Sequence, residues 1–113
     1  MDTLQCYQDI VKQVIQQYAR FTPSHGNIRL DSVFDDARGH YALMQTGWTH
    51  QASSSQKKRV RGNLIYITLR EQKVWIEYDG MEQSIIDELI AAGIPDDRIV
   101  LAFLPDAQAA VAV

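Results

Sequence analysis

The chain has 113 residues, a formal net charge of -3 and a sequence pI near 5.5, with 46% hydrophobic and 22% charged residues. This length accommodates one hydrophobic core and excludes a core combined with an elaborate cofactor cleft. No segment approaches the roughly 18 uninterrupted apolar residues of a membrane span. The composition therefore predicts one soluble domain over residues 1–113, with no membrane partner.

The first residues lack both a basic start and an apolar leader core, because Met1-Asp2-Thr3 runs directly into an amphipathic pattern. We therefore expect a cytoplasmic protein. The single cysteine, Cys6, excludes an internal disulfide and favours a structural thiol beside the first apolar stripe. The six glycines are too scattered for a phosphate-binding loop, so no cofactor is expected.

The first predicted element is a helix over about residues 3–20. Its apolar residues recur at the three- and four-residue spacing of one helix face: Leu4, Tyr7, Val11, Val14, Ile15 and Tyr18. Thr22-Pro23 and the polar residues after it end the helix.

A β-hairpin follows, with strands Ile28–Phe34 and His40–Thr49 and turn-forming residues 35–39 between them. The polar run Gln51–Gln56 is expected to be a loop. Arg59–Leu69 is the strongest strand pattern in the chain, because it is rich in β-branched, aromatic and aliphatic residues.

The next predicted strand, Lys73–Tyr78, places Val74, Ile76 and Tyr78 on one face and Trp75 with Glu77 on the other. A second helix is predicted over Met81–Ala92, with Gly93 as its left-handed cap. Ile99–Phe103 is expected to add a short strand, whereas residues 105–113 have no assignment.

These elements predict an α+β domain: an N-terminal helix, a four-stranded antiparallel meander, a second helix and a short C-terminal strand. Both helices are expected to cover one face of the sheet. Trp75 is then expected on the open face, where a second copy or a partner would cover it.

Candidate acid–base residues lie beside the turns: Asp35, His40, Asp79 and Glu82. They support an alternative interpretation as a small hydrolase or nuclease, provided that the fold brings them together. No two of the three histidines have helical metal-ligand spacing, so no metal site is predicted.

The main basic cluster is Lys57, Lys58, Arg59 and Arg61. On a strand, Lys57, Arg59 and Arg61 share a face and are able to contact a nucleic-acid backbone or an acidic partner. The net negative charge argues against the nucleic-acid alternative unless the surface is strongly polarised.

Ordered motifs recur along nearly the whole chain: Val33-Phe34-Asp35, His40-Tyr41, Gly47-Trp48, Arg59-Val60 with Gly62, Lys73–Ile76, Asp79-Gly80 with Glu82, Gly93-Ile94-Pro95 and Ile99–Leu101. Together these motifs resemble the XisI-like family, the fdxN element excision controlling factors known mostly from cyanobacteria. Three departures stand out: Glu71-Gln72 replaces a glycine-containing turn, Ser53–Lys58 resembles an enlarged loop, and the tail after Phe103 differs from that of other members.

The resemblance implies an XisI-like fold and a non-enzymatic accessory role in DNA element excision, a site-specific recombination. It also implies protein–protein interaction with a XisH-like partner that resembles nucleases. Family-motif positions are the candidate contact residues: Asp35, His40, Tyr41, Trp48, Trp75, Asp79 and Glu82. Self-association and direct DNA contact remain alternatives.

Overall fold

The computed structural model describes residues 3–20, 27–50, 57–80 and 84–104, which form two helices and one five-stranded sheet. In chain order the elements are α1 (Thr3–Ala19), β1 (Asn27–Asp35), β2 (His40–His50), β3 (Lys57–Arg70), β4 (Lys73–Asp79), α2 (Ile85–Ala91), a 3-10 turn (Asp96–Arg98) and β5 (Ile99–Leu101). This order confirms the predicted α+β arrangement.

The sheet has the strand order β1-β2-β3-β4-β5. The first four strands are antiparallel neighbours, and β5 runs parallel to β4. A parallel neighbour requires a crossover connection, which α2 and the 3-10 turn supply. The predicted meander and the short final strand are therefore both present.

Both helices pack on the same face of the sheet. The core joins apolar side chains of α1 and α2 to alternate residues of the strands: Val11, Val14, Ile15, Ile85, Leu89, Tyr41, Leu43, Ile65, Ile67, Val74 and Ile76. We call this the covered face. The opposite side, which no helix of the described residues covers, is the open face.

A β-bulge in β4 corrects the predicted position of Tyr78. Ile67 pairs with Ile76 and Tyr66 pairs with Tyr78, so Glu77 is the extra residue. The bulge reverses the alternation beyond Glu77, and Tyr78 lies on the open face beside Tyr66 rather than with Ile76. A single-strand pattern cannot reveal this shift, because it depends on the register with β3.

The second helix begins later than predicted. Ser84 is its N-cap, and its Oγ accepts a 3.2 Å hydrogen bond from the Ile86 backbone amide. Asp79 Oδ2 accepts from the Ile85 amide at 3.1 Å. The predicted start at Met81 is outside the described residues. Gly93 has a φ of 122°, as its predicted capping role requires.

The remaining differences concern element ends. β5 ends at Leu101 instead of Phe103, because Leu104 donates to the Leu101 carbonyl in a turn. The serine-rich loop and the C-terminal tail lie outside the described residues.

The β3–β4 turn is tight, and Glu71 and Gln72 both adopt positive φ angles, 57° and 59°. This is the conformation of a type I′ hairpin turn.

Candidate interaction face

One row of side chains crosses the open face near the β1–β2 turn. Asp35 pairs with His40, His40 with Thr68, and Thr68 with Trp75. Residues directly opposite one another on neighbouring strands share a face of the sheet. The alternation that sends Tyr41 and Ile67 into the core therefore presents this row to the open side.

Two polar contacts organise the middle of the row. His40 Nδ1 and the Tyr66 hydroxyl are hydrogen-bonded at 2.7 Å, and their rings stack with centroids 5.9 Å apart. Thr68 Oγ1 donates to Glu77 Oε2 at 3.0 Å, which holds the bulged residue against the sheet. Thr68 is only 7% exposed, so little of this side chain reaches solvent even though it lies on the open face.

Trp75 is half-buried by its own sheet neighbours rather than bare. Its indole Nε1 donates to the Arg70 carbonyl at 3.1 Å. The guanidinium carbon of Arg70 lies 3.8 Å from the ring centroid, in a cation–π arrangement. The prediction placed Trp75 on the open face correctly, and Arg70 supplies cover that the alternation did not reveal.

Trp48 lies at the other end of the open face, on the part of the hairpin that extends past the core. We call residues 44–50 and 57–63 the β2–β3 arm; no described side chain in it is buried. Trp48 is 46% exposed and pairs with Arg59, whose guanidinium carbon lies 5.2 Å from the ring centroid. Arg61 is exposed on the same face, two residues along β3.

Asp35 and Asp36 at the β1–β2 turn have different partners. Asp35 accepts bonds from the Arg38 side chain at 3.2 Å and the Arg38 amide at 3.1 Å, and these bonds lower the pKa of the Asp35 carboxyl. Asp36 binds Lys12 Nζ at 3.0 Å, which lowers the Asp36 pKa. The Tyr41 hydroxyl donates to Asp36 at 2.8 Å.

The acid–base candidates converge only in part. Asp35 and His40 are cross-strand neighbours. Asp79 instead pairs with Ile65, three residues along β3 from the partner of His40. This offset is about 10 Å, and Asp79 belongs to the covered side of the sheet, where it bonds to the first turn of α2. Glu82 is outside the described residues.

Two motif positions have structural roles inside the domain. Tyr41 is fully buried, so its ring is not available to a partner. Burial is the larger cause of the raised pKa of its phenol, and the hydrogen bond to Asp36 adds to it. Asp79 caps α2. The structure adds Tyr66, Glu77 and Arg70 to the open face. Strand alternation from Thr68 would have indicated Tyr66, but the contacts of Glu77 and Arg70 depend on the register.

Within the described ranges, no group of three or more His, Cys, Asp or Glu side chains is placed to hold a metal ion.

A groove of about 240 Å³ lies between α1 and α2, lined by Gln13, Val14, Gln17, Glu88, Ala91 and Ala92. This volume is below the range of about 300 to 1,000 Å³ that is typical of ligand pockets. Among the described helices, none is long and apolar enough to cross a membrane.

These features define a small α+β protein with a five-stranded sheet, two helices on one face and an aromatic and polar opposite face. The sequence matches the family model of XisI protein over residues 1–112. The chain belongs to the XisI family.

Two solved structures from Anabaena variabilis ATCC 29413 are similar to this chain. One is a XisI-like protein, with a TM-score of 0.79 and 25% identity, and the match covers 94% of this chain and 92% of that chain. The other is the fdxN element excision controlling factor XisI, with a TM-score of 0.69, 29% identity and coverages of 96% and 93%. A search of curated proteins finds no match.

Proposed function

We propose that the protein is a non-enzymatic accessory factor that binds a XisH-like partner through its open face and thereby controls excision of a DNA element. The observation that supports this proposal is the composition of the open face. It carries three of the large apolar side chains that are most exposed among the described residues: Val33 at 52%, Tyr78 at 48% and Trp48 at 46%.

Exposed aromatic side chains beside arginine are typical of protein interfaces. Tryptophan, tyrosine and arginine are the residue types that most often dominate binding energy. Trp48 beside Arg59 and Trp75 beside Arg70 place such pairs at both ends of the open face. A partner that spans the face would contact both pairs.

The excision role rests on the family. One of the similar solved structures is an fdxN element excision controlling factor, and the resemblance associates the family with neighbouring genes for XisH proteins. The partial convergence of the acid–base candidates favours this role over a hydrolase. Asp35 and His40 are adjacent, but Asp79 caps a helix on the other side of the sheet.

Co-purification with the XisH-like product of the neighbouring gene tests the proposal. The two proteins are co-expressed with a tag on one of them, and we expect a complex that survives size-exclusion chromatography at micromolar concentration. If the folded protein shows no association with that product at micromolar concentration, the proposal is wrong.

A second candidate function is direct contact with nucleic acid, and the distribution of charge supports it. No Asp or Glu occurs between Ala37 and Arg70, although the chain has 14 acidic residues. The same segment contains more than half of the 11 basic residues: Arg38, Lys57, Lys58, Arg59, Arg61 and Arg70. The negative net charge therefore arises outside the β2–β3 hairpin.

This polarisation removes the main argument against a polyanionic partner. The basic residues of β3 begin at Lys57 and continue along the arm, and Arg59 and Arg61 face the same side as Trp48. Basic side chains with an adjacent aromatic ring suit a phosphate backbone and an unstacked base.

Fluorescence anisotropy with a short DNA at low and high salt measures this second function. We expect binding that weakens steeply with salt, and a smaller salt slope for Arg59→Ala/Arg61→Ala. Failure to bind single- or double-stranded DNA at low salt, where electrostatic attraction is strongest, would reject it for the isolated protein.

A further inference from the structure

The first strand forms one edge of the sheet. β1 pairs with β2 along all nine of its residues, from Asn27 to Asp35, and no other described strand pairs with its outer side. Asp31, Ser32 and Val33 are exposed. A long, regular edge strand presents unpaired backbone groups that are able to pair with another strand.

We propose that two copies of this chain pair through their β1 strands, antiparallel, with the two-fold axis at Ser32. The sheets of both copies then form one continuous sheet, with all four helices on the same side. This surface differs from the open face proposed for the partner, because it uses the edge of the sheet and not its face.

The charges of β1 select the register of this pairing. An axis at Ser32 places Arg29 opposite Asp35 of the second copy, twice by symmetry, so opposite charges face each other. An axis at Asp31 would place that carboxylate against itself. An axis at Val33 would place Asp31 against Asp35 of the second copy, again a like-charge pair.

Apolar side chains favour the axis at Ser32 over a further register, with the axis at Leu30. An axis at Leu30 also gives Arg29 an opposite charge, but it leaves Ile28 facing Ser32 of the second copy. The axis at Ser32 instead pairs Leu30 with Phe34 of the second copy, on the covered face. Both residues are only partly buried at the margin of the core, so this pairing removes further apolar surface from water.

The charged groups are accessible for this pairing. Arg29 Nε binds Asp31 Oδ2 within its own strand at 2.8 Å, with the two side chains 77% and 52% exposed. The Asp35 side chain is 36% exposed while bonded to Arg38. A carboxylate accepts several hydrogen bonds at once, so Asp35 is able to receive a second guanidinium without losing Arg38.

Cysteine cross-linking tests the register directly. Residues on the two-fold axis of an antiparallel pair have Cα atoms about 4.5 to 5.5 Å apart, within disulfide range. In a Cys6→Ala background, Ser32→Cys is expected to form a covalent dimer under mild oxidation. Val33→Cys, the matched control, is not opposite itself in this register and should form little covalent dimer.

A covalent dimer from Val33→Cys but not from Ser32→Cys would overturn the proposed register. No cross-link at either position, together with a monomeric wild-type chain, would overturn the β1 pairing altogether.

Charge exchange gives an independent test by sedimentation equilibrium of the full chain. The wild type is expected to dimerise, and Arg29→Glu should weaken the dimer by about tenfold because like charges then face each other. Arg29→Glu/Asp35→Lys restores opposite charges and should recover dimerisation. Circular dichroism confirms that each variant is folded. A double variant as weak as Arg29→Glu contradicts the pairing of Arg29 with Asp35.

Discussion

Arg70 contacts the Trp75 indole in two ways: its guanidinium carbon lies 3.8 Å from the indole centroid, and its backbone carbonyl accepts a hydrogen bond from the indole N–H at 3.1 Å. Trp75 is thereby fixed against the end of β3. The indole contributes to the stability of the monomer and still presents an edge on the open face.

Trp75→Ala should therefore lower the free energy of unfolding by about 1 to 2 kcal/mol, below the roughly 3 to 5 kcal/mol of a buried aromatic. Urea denaturation provides the measurement. Trp48→Ala is the comparison, and because Trp48 is 46% exposed its loss should stay below about 1 kcal/mol. A loss for Trp75→Ala as large as that of a core aromatic would show that this indole belongs to the core.

The β3–β4 turn predicts a stabilising substitution. Glu71 and Gln72 are exposed and hold positive φ angles of 57° and 59°, which cost a non-glycine residue about 1 kcal/mol each. Gln72→Gly should raise the free energy of unfolding by about 1 kcal/mol. Thermal denaturation reports the change, and an unchanged or lower midpoint would argue against this turn conformation.

Gly39 is predicted to tolerate no side chain. A Cβ at this position, where φ is 74°, would lie 2.4 Å from the Leu69 carbonyl oxygen. Gly39→Ala should destabilise the protein by more than about 2 kcal/mol. Gly62→Ala is the matched control, because its φ is also positive but nothing lies within 4 Å of its Cβ. Equal losses for the two variants in urea would contradict the close approach at Gly39.

The raised pKa of Tyr41 predicts a loss of stability at alkaline pH. Burial of the phenol is the main cause, and the bond to Asp36 adds to it. In the unfolded chain the Tyr41 phenol ionises near pH 10. The folded state holds this proton to higher pH, so the contribution of Tyr41 to the free energy of unfolding is retained below pH 10 and lost as the pH rises further.

Tyr41→Phe should cost about 1 kcal/mol at neutral pH through the lost hydrogen bond. Because phenylalanine cannot ionise, the deficit should shrink between about pH 9 and 11. Urea denaturation across this range measures it. A deficit that does not change with pH would contradict the assigned pKa shift.

Among the residues that the structure describes, the sequence predicted both α-helices and all five strands from their apolar patterns, but not the 3-10 turn at Asp96–Arg98. Residues such as Val11 and Ile15 repeat along a helix, and Val74 and Ile76 alternate along a strand. The bulge at Glu77 could not be predicted, since it exists only in the register between β3 and β4. The face assigned to Tyr78 was wrong for that reason.

The candidate site was predictable to a similar extent. Alternation placed Trp75 on the open face, and the motifs pointed to His40 and Trp48. The partners of these residues come from neighbouring strands: Tyr66 for His40 and Arg59 for Trp48. Burial of Tyr41 and capping by Asp79 likewise depend on the packed helices, so no local pattern separates these two residues from surface contacts.

Calorimetric titration of the purified XisH-like partner with three forms of the chain tests whether the partner binds the open face. The forms are the wild type, Trp48→Ala on the open face and Gln16→Ala at an exposed position of α1. We expect micromolar or tighter binding for the wild type and Gln16→Ala, with Trp48→Ala at least about tenfold weaker. Undiminished binding by Trp48→Ala, or no binding by the folded wild type, would show that the XisH-like partner does not bind through the open face.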